Sequence, residues 1–127
     1  MFKTDPKTWT DQRHRDGAEA EERAAKLLVH NGYVILERRF RFHRHDVDIV
    51  ARRGSTVVFV EVKLRWTRRY GAAVEAIFAK KQRELVRAAS AWLQRHGKPG
   101  DVARFDVVAI QGRELEWIQS AFRPLWR

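Results

Sequence analysis

The sequence predicts an α/β fold, in which helices flank a mixed five-stranded sheet and the elements follow the order αβββαββ. Three observations support this class. Two long segments repeat apolar residues at helical spacing, five shorter segments are rich in β-branched and aromatic residues, and glycines or polar turns separate them. Because the 127 residues contain no repeat and no low-complexity segment, we expect a single domain of ordinary size.

The first half of the chain is expected to hold one helix and three strands. A loose arm at residues 1–10 leads into a helix from about Asp11 to His30, and Gly32 is a stop signal just past its end. The apolar stripe of this helix consists of Ala20, Ala24, Leu27 and Leu28. Three strands follow, at residues 33–40, 47–51 and 56–62. A turn that contains Gly54 joins the last two, which we expect to form a hairpin.

The second half is expected to hold one helix and two closing strands. A basic loop at residues 64–73 precedes a helix at 75–96, which ends at the breakers Gly97, Pro99 and Gly100. The apolar face of this helix consists of Ile77, Leu85, Ala88, Ala89 and Trp92. The closing strands are predicted at residues 104–110 and 115–118. The chain therefore divides into a loose basic arm and helix start at 1–16, one domain at 17–122 and a tail at 123–127.

The composition favours some classes of function and excludes others. A net charge of +10, from 26 Lys and Arg against 16 Asp and Glu, indicates a polyanionic partner, most often nucleic acid. A solubility charge or an acidic protein partner would account for the same excess. The absence of cysteine excludes disulfides, zinc–thiolate sites and thiol nucleophiles. No signal-peptide core and no apolar run long enough to span a bilayer are visible, so we expect a cytoplasmic protein without membrane association.

Charged residues occupy strand positions in the predicted hairpin where the pattern calls for apolar ones. We expect a symmetric turn, in which Asp48 pairs with Phe59 and Asp46 pairs with Glu61. Since side chains alternate along a strand, this register places Asp46, Asp48, Glu61 and Lys63 on one face of the sheet. A slip of one residue would put the two groups of acids on opposite faces, so the expectation depends on the length of the turn.

Such a group of carboxylates indicates a cation. Crowded carboxylates repel one another and raise one another's pKa, so a counter-charge is needed. Lys63 is one candidate, and a divalent cation is another, because the hard oxygen ligands suit Mg²⁺ or Mn²⁺. A polar sheet edge with ordinary ion pairs gives the same spacing, and the spacing alone leaves both readings open.

Each helix also carries a charged residue on its apolar face. Glu21 shares a face of the first helix with Ala24 and Leu28, and Lys81 stands four residues before Leu85 on the stripe of the second. We expect both charges to point toward the sheet. A lysine that extends its ammonium group to solvent and a half-exposed glutamate are the alternatives.

The segment from Asp48 to Glu61-Val62-Lys63 resembles the PD-(D/E)xK signature of a nuclease superfamily that contains restriction endonucleases and Holliday-junction resolvases. The wider chain, from 17 to 122, resembles the YraN family of small bacterial proteins, which are regarded as candidate endonucleases. The matching motifs are Gly17, Glu21 and Ala24, Gly32-Tyr33, HDVDIV at 45–50, FVEVK at 59–63 with Arg65, Tyr70-Gly71, Lys81-Gln82, Ala88-Ala89, RFDVV at 104–108 and Ala121-Phe122. One departure is His45-Asp46, where the family usually has glycine and glutamate.

The resemblance implies a restriction-endonuclease-like core and a metal-dependent DNA endonuclease. Asp48, Glu61 and the carbonyl group of Val62 would hold Mg²⁺ or Mn²⁺, with Asp46 as a further ligand whose role the departure puts in doubt. Lys63 would orient or deprotonate the attacking water, and Glu21 would reach a metal-bound water. Because junction resolvases of the superfamily are dimers, the resemblance also makes a homodimer a candidate for the oligomeric state.

Basic and aromatic residues flank the acidic strands and are expected to contact nucleic acid. By the same resemblance, Lys81 or Gln82 would position a phosphate. Exposed bases would stack on Trp66 and Tyr70, which would favour branched or frayed DNA. Further phosphate contacts are expected from Arg41, Arg44, Arg65, Arg68 and Arg69. The alternative to the nuclease is a nucleic-acid-binding protein that has a nuclease-like fold and no catalysis, and a third reading is an interaction protein for an acidic partner.

Overall fold

The structure is a computed structural model that describes residues 6–64 and 70–124, with side chains described for 16–64 and 79–124. Its elements follow the predicted order. They are α1 (Pro6–His30), β1 (Val34–Phe42), β2 (His45–Arg53), β3 (Thr56–Leu64), α2 (Tyr70–His96), β4 (Val102–Gln111) and β5 (Glu114–Phe122). The α/β class, with two helices and a mixed five-stranded sheet, is confirmed and is consistent with a restriction-endonuclease-like core.

The strands lie in the sheet in sequence order, from β1 to β5. β3 and β4 are parallel, and every other pair is antiparallel. A parallel pair needs a long crossover connection, and α2 provides it between β3 and β4. The crossover brings α2 back across the face of the sheet to which Phe59 and Glu61 of β3 point.

The two helices cover opposite faces of the sheet. The side of α1 that contacts the sheet is made of small residues, and its cluster contains Ala20, Ala24, Leu28, Ile49, Val58 and Val60. The cluster on the other face holds aromatic residues and contains Phe59, Leu85, Ala88, Trp92 and Phe105. Burial of both faces of β3 accounts for its near-continuous apolar sequence. Glu61 is therefore a charged residue inside a strand that is otherwise largely buried.

Both helices begin earlier than predicted. α1 starts at Pro6 rather than near Asp11, so the prediction of a loose arm is wrong for residues 6–10. Proline is common at the first helical position, where its missing N–H has no helical partner in any case. α2 starts at Tyr70 rather than at residue 75, which shortens the predicted basic loop. Residues 65–69 of that loop lie outside the described residues.

The predicted register of the β2–β3 hairpin is wrong by two residues. Phe59 pairs with Val50 and not with Asp48, because the turn consists of Gly54 and Ser55 and closes at Arg53 and Thr56. Gly54 has a φ of 62°, the left-handed conformation that a two-residue hairpin turn favours at this position. A shift of two residues preserves the faces of the strand but moves its side chains along it.

The same shift changes which aspartate lies near Glu61. Continued beyond its last described pair, Ile49 with Val60, the observed register brings Asp48 rather than Asp46 opposite Glu61.

Neither described helix is long and apolar enough to cross a membrane.

Candidate functional site

The candidate site lies where β2 and β3 diverge. Their described backbone pairing ends at Ile49 and Val60. Beyond that point the backbone N–H of Val62 donates to the carboxylate of Asp48, with 2.7 Å between N and Oδ2. A side chain of β2 thus replaces the backbone carbonyl that would continue the ladder. This bond holds the Asp48 carboxylate against β3, beside Glu61, the residue that precedes Val62.

That residue, Glu61, has a buried carboxylate with one satisfied and one unsatisfied oxygen. Only 4% of the residue is exposed. Its Oε1 accepts a hydrogen bond from the Lys81 ammonium at 2.6 Å and lies 3.5 Å from the ammonium nitrogen of Lys63. Its Oε2 is buried and has no hydrogen-bond partner among the described residues. Since buried polar atoms are almost always paired, an orphaned carboxylate oxygen indicates a place for a ligand.

The pKa of Asp48 reflects its burial and the nearby charge of Glu61. Burial, followed by the negative charge of Glu61, raises the pKa of Asp48 to about 7. The hydrogen bond from Val62 and the charge of Lys81 act in the opposite direction, and the charge of Glu21 adds to the increase. The fold therefore holds the Asp48 carboxylate where its charged form is unfavourable, chiefly because it is shielded from solvent.

Lys81 projects from α2 toward the sheet, as the sequence pattern predicts. Burial disfavours its ammonium form, but the charge and the hydrogen bond of Glu61 outweigh burial and raise the pKa of Lys81. Asp48 and Glu84 act in the same direction. Lys81 therefore stays charged at neutral pH and partly neutralises the acidic cluster.

Glu21 approaches the same region from α1. Both of its carboxylate oxygens lie 3.3 Å from Nε of Arg39, which donates to them. The side chain of Glu21 is only 13% exposed, and its charge reaches Asp48. Arg39 has a φ of 55°, an uncommon conformation for a residue other than glycine. An ion pair to Arg39 thus holds Glu21 at the border of the acidic cluster.

Asp46 is not brought to Glu61. Its side chain is 48% exposed and lies 3.9 Å from Nε of Arg41, which itself donates to the backbone carbonyl of His43. The neighbouring His45 contacts α2, with 2.9 Å between its Nδ1 and Oε2 of Glu84. The residues that depart from the family pattern therefore face the turn and α2.

The donor set for a metal ion in the described part of the chain is small. No three His, Asp or Glu side chains converge there into a ready metal cage. The groups that could hold a cation are the carboxylates of Asp48 and Glu61, together with the backbone carbonyl of Val62, the residue whose N–H binds Asp48. The unpartnered Oε2 of Glu61 and the raised pKa of Asp48 both agree with a hard cation at this point.

The predicted nucleic-acid contacts are spread over several segments. Arg41 and Arg44 are exposed near the β1–β2 turn, and Gln82 is partly exposed on α2. Arg65, Trp66, Arg68 and Arg69 lie outside the described residues, so those predictions stay predictions.

The sequence reasoning missed Glu84, which contacts His45 and acts on Lys81. The spacing signal was present, since Glu84 follows Lys81 by three residues and so lies on the same side of α2. It also left Asp106 unassigned. This aspartate is fully buried, and the side chains of Arg104 and Trp117 and the backbone N–H of Ser120 donate to it. Asp106 pairs with Val60, next to Glu61, but its bonds join β4 to β5 on the face of the sheet that α1 covers, which is a structural role.

Comparison with known proteins shows that the sequence is similar to an uncharacterised family. The sequence profile of the uncharacterised protein family UPF0102 matches residues 20–110. A UPF0102 protein of Halorhodospira halophila is 45% identical over 118 residues, which cover 93% of this chain and 95% of the relative. One of Dechloromonas aromatica is 44% identical over 106 residues, 84% of this chain and 87% of the relative. One of Symbiobacterium thermophilum is 44% identical over 113 residues, which cover 85% of this chain and 96% of the relative.

Proposed function

The chain belongs to the uncharacterised protein family UPF0102, the YraN family that its motifs resemble, and from that premise we propose that it is a metal-dependent endonuclease. Its reaction would be the hydrolysis of phosphodiester bonds in DNA. The observation that supports the proposal most strongly is the buried, unpartnered Oε2 of Glu61 beside a second carboxylate, Asp48.

The two carboxylates suit a hard divalent cation. Two acids held together repel each other, and this repulsion contributes to the raised pKa of Asp48. Mg²⁺ or Mn²⁺ would relieve the repulsion and satisfy the free oxygen of Glu61, with the carbonyl of Val62 as a third oxygen ligand. A bound cation of this kind supplies Lewis acidity toward a phosphate and acidifies the water beside it.

The chain itself would provide the remaining chemistry. Val62 orients Asp48 through its N–H, so the carboxylate is held in place before a substrate arrives. Lys63 has an ammonium group 3.5 Å from Oε1 of Glu61 and a side chain that is 29% exposed. It can therefore contact both the cluster and a water or phosphate in solvent. Lys81 adds a second positive charge, which favours the negative charge that develops on a phosphate during hydrolysis.

Nucleic acid is the substrate class that the charge supports. The chain has a net charge of +10, and phosphate contacts by basic side chains account for most non-specific binding of such proteins to DNA. Arg41 and Arg44 are exposed close to the strand that carries Asp48, so a phosphate backbone at the site would meet them.

Cleavage assays with a matched pair of variants test the proposal. The substrates are branched, flapped and linear DNA with Mn²⁺, and the variants are Glu61→Gln and Glu114→Gln. We expect Glu61→Gln to lower the cleavage rate by about 100-fold or more, because it removes a cation ligand but keeps the shape of the side chain. Glu114 is exposed in the β4–β5 turn region, so its variant should cleave like the wild type. Equal cleavage by all three proteins, or none on any substrate, would contradict the proposal.

One observation favours a second candidate, a nucleic-acid-binding protein without catalysis. The ammonium of Lys81 lies 2.6 Å from Oε1 of Glu61, so an internal cation already neutralises one of the two acids. This candidate predicts salt-sensitive DNA binding that persists in Asp48→Asn and no binding of Mn²⁺ by calorimetry. Mn²⁺ binding that is lost in Asp48→Asn would eliminate it.

A further inference from the structure

A groove with an arginine rim runs along the flank of α2 that faces the end of β5. It encloses about 450 Å³. Its rim is formed by arginines of both elements, and its floor is apolar; the lining includes Arg83, Val86 and Arg87 of α2 and Phe122, Arg123 and Pro124 at the end of β5. No acidic side chain belongs to its described lining.

The rim of the groove suits consecutive phosphates. Arg83, Arg87 and Arg123 are exposed, and none of them has an ion pair or a hydrogen bond to another described side chain. Arg83 and Arg87 are four residues apart and project from the same side of α2, separated by about 6 Å along the helix axis. This separation is close to the step between neighbouring phosphates of an extended strand. Arg123 stands across the groove from them, so a phosphate backbone between the two walls would be contacted from both sides.

The floor of the groove suits a nucleobase. Val86, Phe122 and Pro124 are partly buried and present apolar surface to the groove. The ring of Phe122 is stacked on Phe105 with 4.7 Å between ring centroids, which fixes its orientation. A base packs favourably on such a surface only when it is free of its own stacking partners, as in a single strand. A duplex offers phosphates to the arginines but no base to the floor.

The position of the groove connects it with the acidic site. It begins at Gln82, the residue after Lys81, whose ammonium contacts Glu61. On the sheet, Phe122 pairs with Phe105, which pairs with Phe59, two residues before Glu61. Two strand spacings amount to roughly 10 Å, so a strand of a few nucleotides can join the two places. The opposite flank of α2 is occupied by the contact between Glu84 and His45 of β2.

We propose that this groove binds a single-stranded segment of nucleic acid that extends from the acidic site around α2. The inference rests on the proposed function for the place where the strand is cleaved, whereas the binding itself requires no cleavage. It assigns the phosphate contacts to Arg83, Arg87 and Arg123, and it assigns the preference for frayed or branched DNA over continuous duplex to the apolar floor.

Binding measurements on two charge-matched triple variants test this inference. The groove variant carries Arg83→Gln, Arg87→Gln and Arg123→Gln. The control variant carries Lys26→Gln, Lys98→Gln and Arg113→Gln, which remove the same charge from exposed positions elsewhere. A labelled single-stranded oligonucleotide of about 12 nucleotides is titrated by fluorescence anisotropy in EDTA, so that no cleavage occurs. We expect the groove variant to bind at least about 10-fold more weakly and to lose about two units of the salt slope, and the control to lose less than about 3-fold.

A further variant addresses the floor without a change of charge. Val86→Trp fills the groove, and we expect it to weaken binding of the single strand more than binding of a duplex of equal length. Equal losses in the two triple variants, or unchanged binding in Val86→Trp, would overturn the inference. Competition by polyglutamate as effective as competition by the oligonucleotide would also overturn it, since an acidic protein segment would then fit equally well. A wild type that binds through the groove but does not cleave would support the inference and contradict the nuclease.

Discussion

The carboxylate of Asp48 is partly buried beside Glu61, and this environment raises its pKa from 3.8 to about 7. Its position is fixed by the N–H of Val62 rather than by a cationic partner of its own. The fold thus holds an acid where its charged form is unfavourable. Such an arrangement is common where a side chain is kept for chemistry instead of stability.

A stability measurement on Asp48→Asn follows from this raised pKa. In the metal-free protein the folded state holds the Asp48 proton more tightly than the unfolded state, whose pKa is near 3.8. The contribution of Asp48 to the free energy of unfolding should therefore fall as pH rises from about 4 to about 7 and stay low above that range. Above about pH 7 the ionised carboxylate destabilises the folded state, and Asp48→Asn removes that charge. We therefore expect Asp48→Asn to be more stable than the wild type at about pH 8, by on the order of 2 kcal/mol.

Urea unfolding at about pH 5 and about pH 8 measures the effect, with EDTA present to remove metal ions. Asp46→Asn is the control, because that side chain is 48% exposed and lies outside the cluster. If Asp48→Asn loses stability between the two pH values as steeply as the wild type and the control do, the environment assigned to Asp48 is wrong.

Some residues of the candidate site could be predicted from the sequence, and others could not. Glu21 and Lys81 were recognisable because each interrupts an apolar helical stripe, and both charges lie close to Asp48 in the structure. Their partners were not recognisable. The contact of Arg39 with Glu21 depends on a left-handed residue inside β1, a conformation that no local pattern around Arg39 signals.

At the scale of elements, α2 is joined to the acidic end of the sheet by an ion pair and a second polar contact. Lys81 contacts Glu61 of β3 at 2.6 Å, and Glu84 contacts His45 of β2 at 2.9 Å. The two helix residues are three positions apart, so they lie on the same side of α2, toward β2 and β3. The helix therefore does more than cover the aromatic core, because it supplies the positive charge that the two acids need.

Replacement of Lys81 by methionine should uncouple this helix from the site. The change leaves the buried carboxylate of Glu61 without its closest cation, and we expect a loss of about 1–3 kcal/mol in the metal-free protein. If Asp48 and Glu61 bind Mn²⁺, the metal should restore part of this stability, because a ligand that binds only the folded state stabilises it. Thermal unfolding with and without Mn²⁺ measures both effects.

The neighbouring substitution Lys80→Met is the control for that experiment. Lys80 is exposed, so its loss should change stability little and should leave the response to Mn²⁺ as in the wild type. An equal destabilisation by the two substitutions would contradict the role of Lys81. A Lys81→Met variant that Mn²⁺ does not stabilise would contradict the metal site.

The order of the elements was predictable, whereas the register of the hairpin was not. Helical periodicity and short apolar runs identify all the described elements in order, because these patterns follow from which faces are buried. The register depends on the turn, and both Arg53–Gly54 and Gly54–Ser55 are acceptable turn residues by composition. The two-residue difference decides whether Asp46 or Asp48 comes opposite Glu61.

At the scale of the whole molecule, four elements contribute residues to the candidate site, and the crossover between the parallel strands brings α2 to it. β2 contributes Asp48, β3 contributes Glu61 and Lys63, α1 contributes Glu21 and α2 contributes Lys81. No two of these elements would form the cluster alone. Beyond Lys81, the arginine groove continues along α2 toward the end of β5, and its arginines contribute to the net charge of +10.

Calorimetric titration of Mn²⁺ into the metal-free protein tests most directly whether Asp48 and Glu61 hold a divalent cation. The wild type and Glu114→Gln are predicted to bind with similar affinity, and Asp48→Asn and Glu61→Gln are each predicted to bind at least about 10-fold more weakly, because each loses a charged oxygen ligand. Absence of measurable binding to the wild type, or equal binding by all four proteins, would contradict the account.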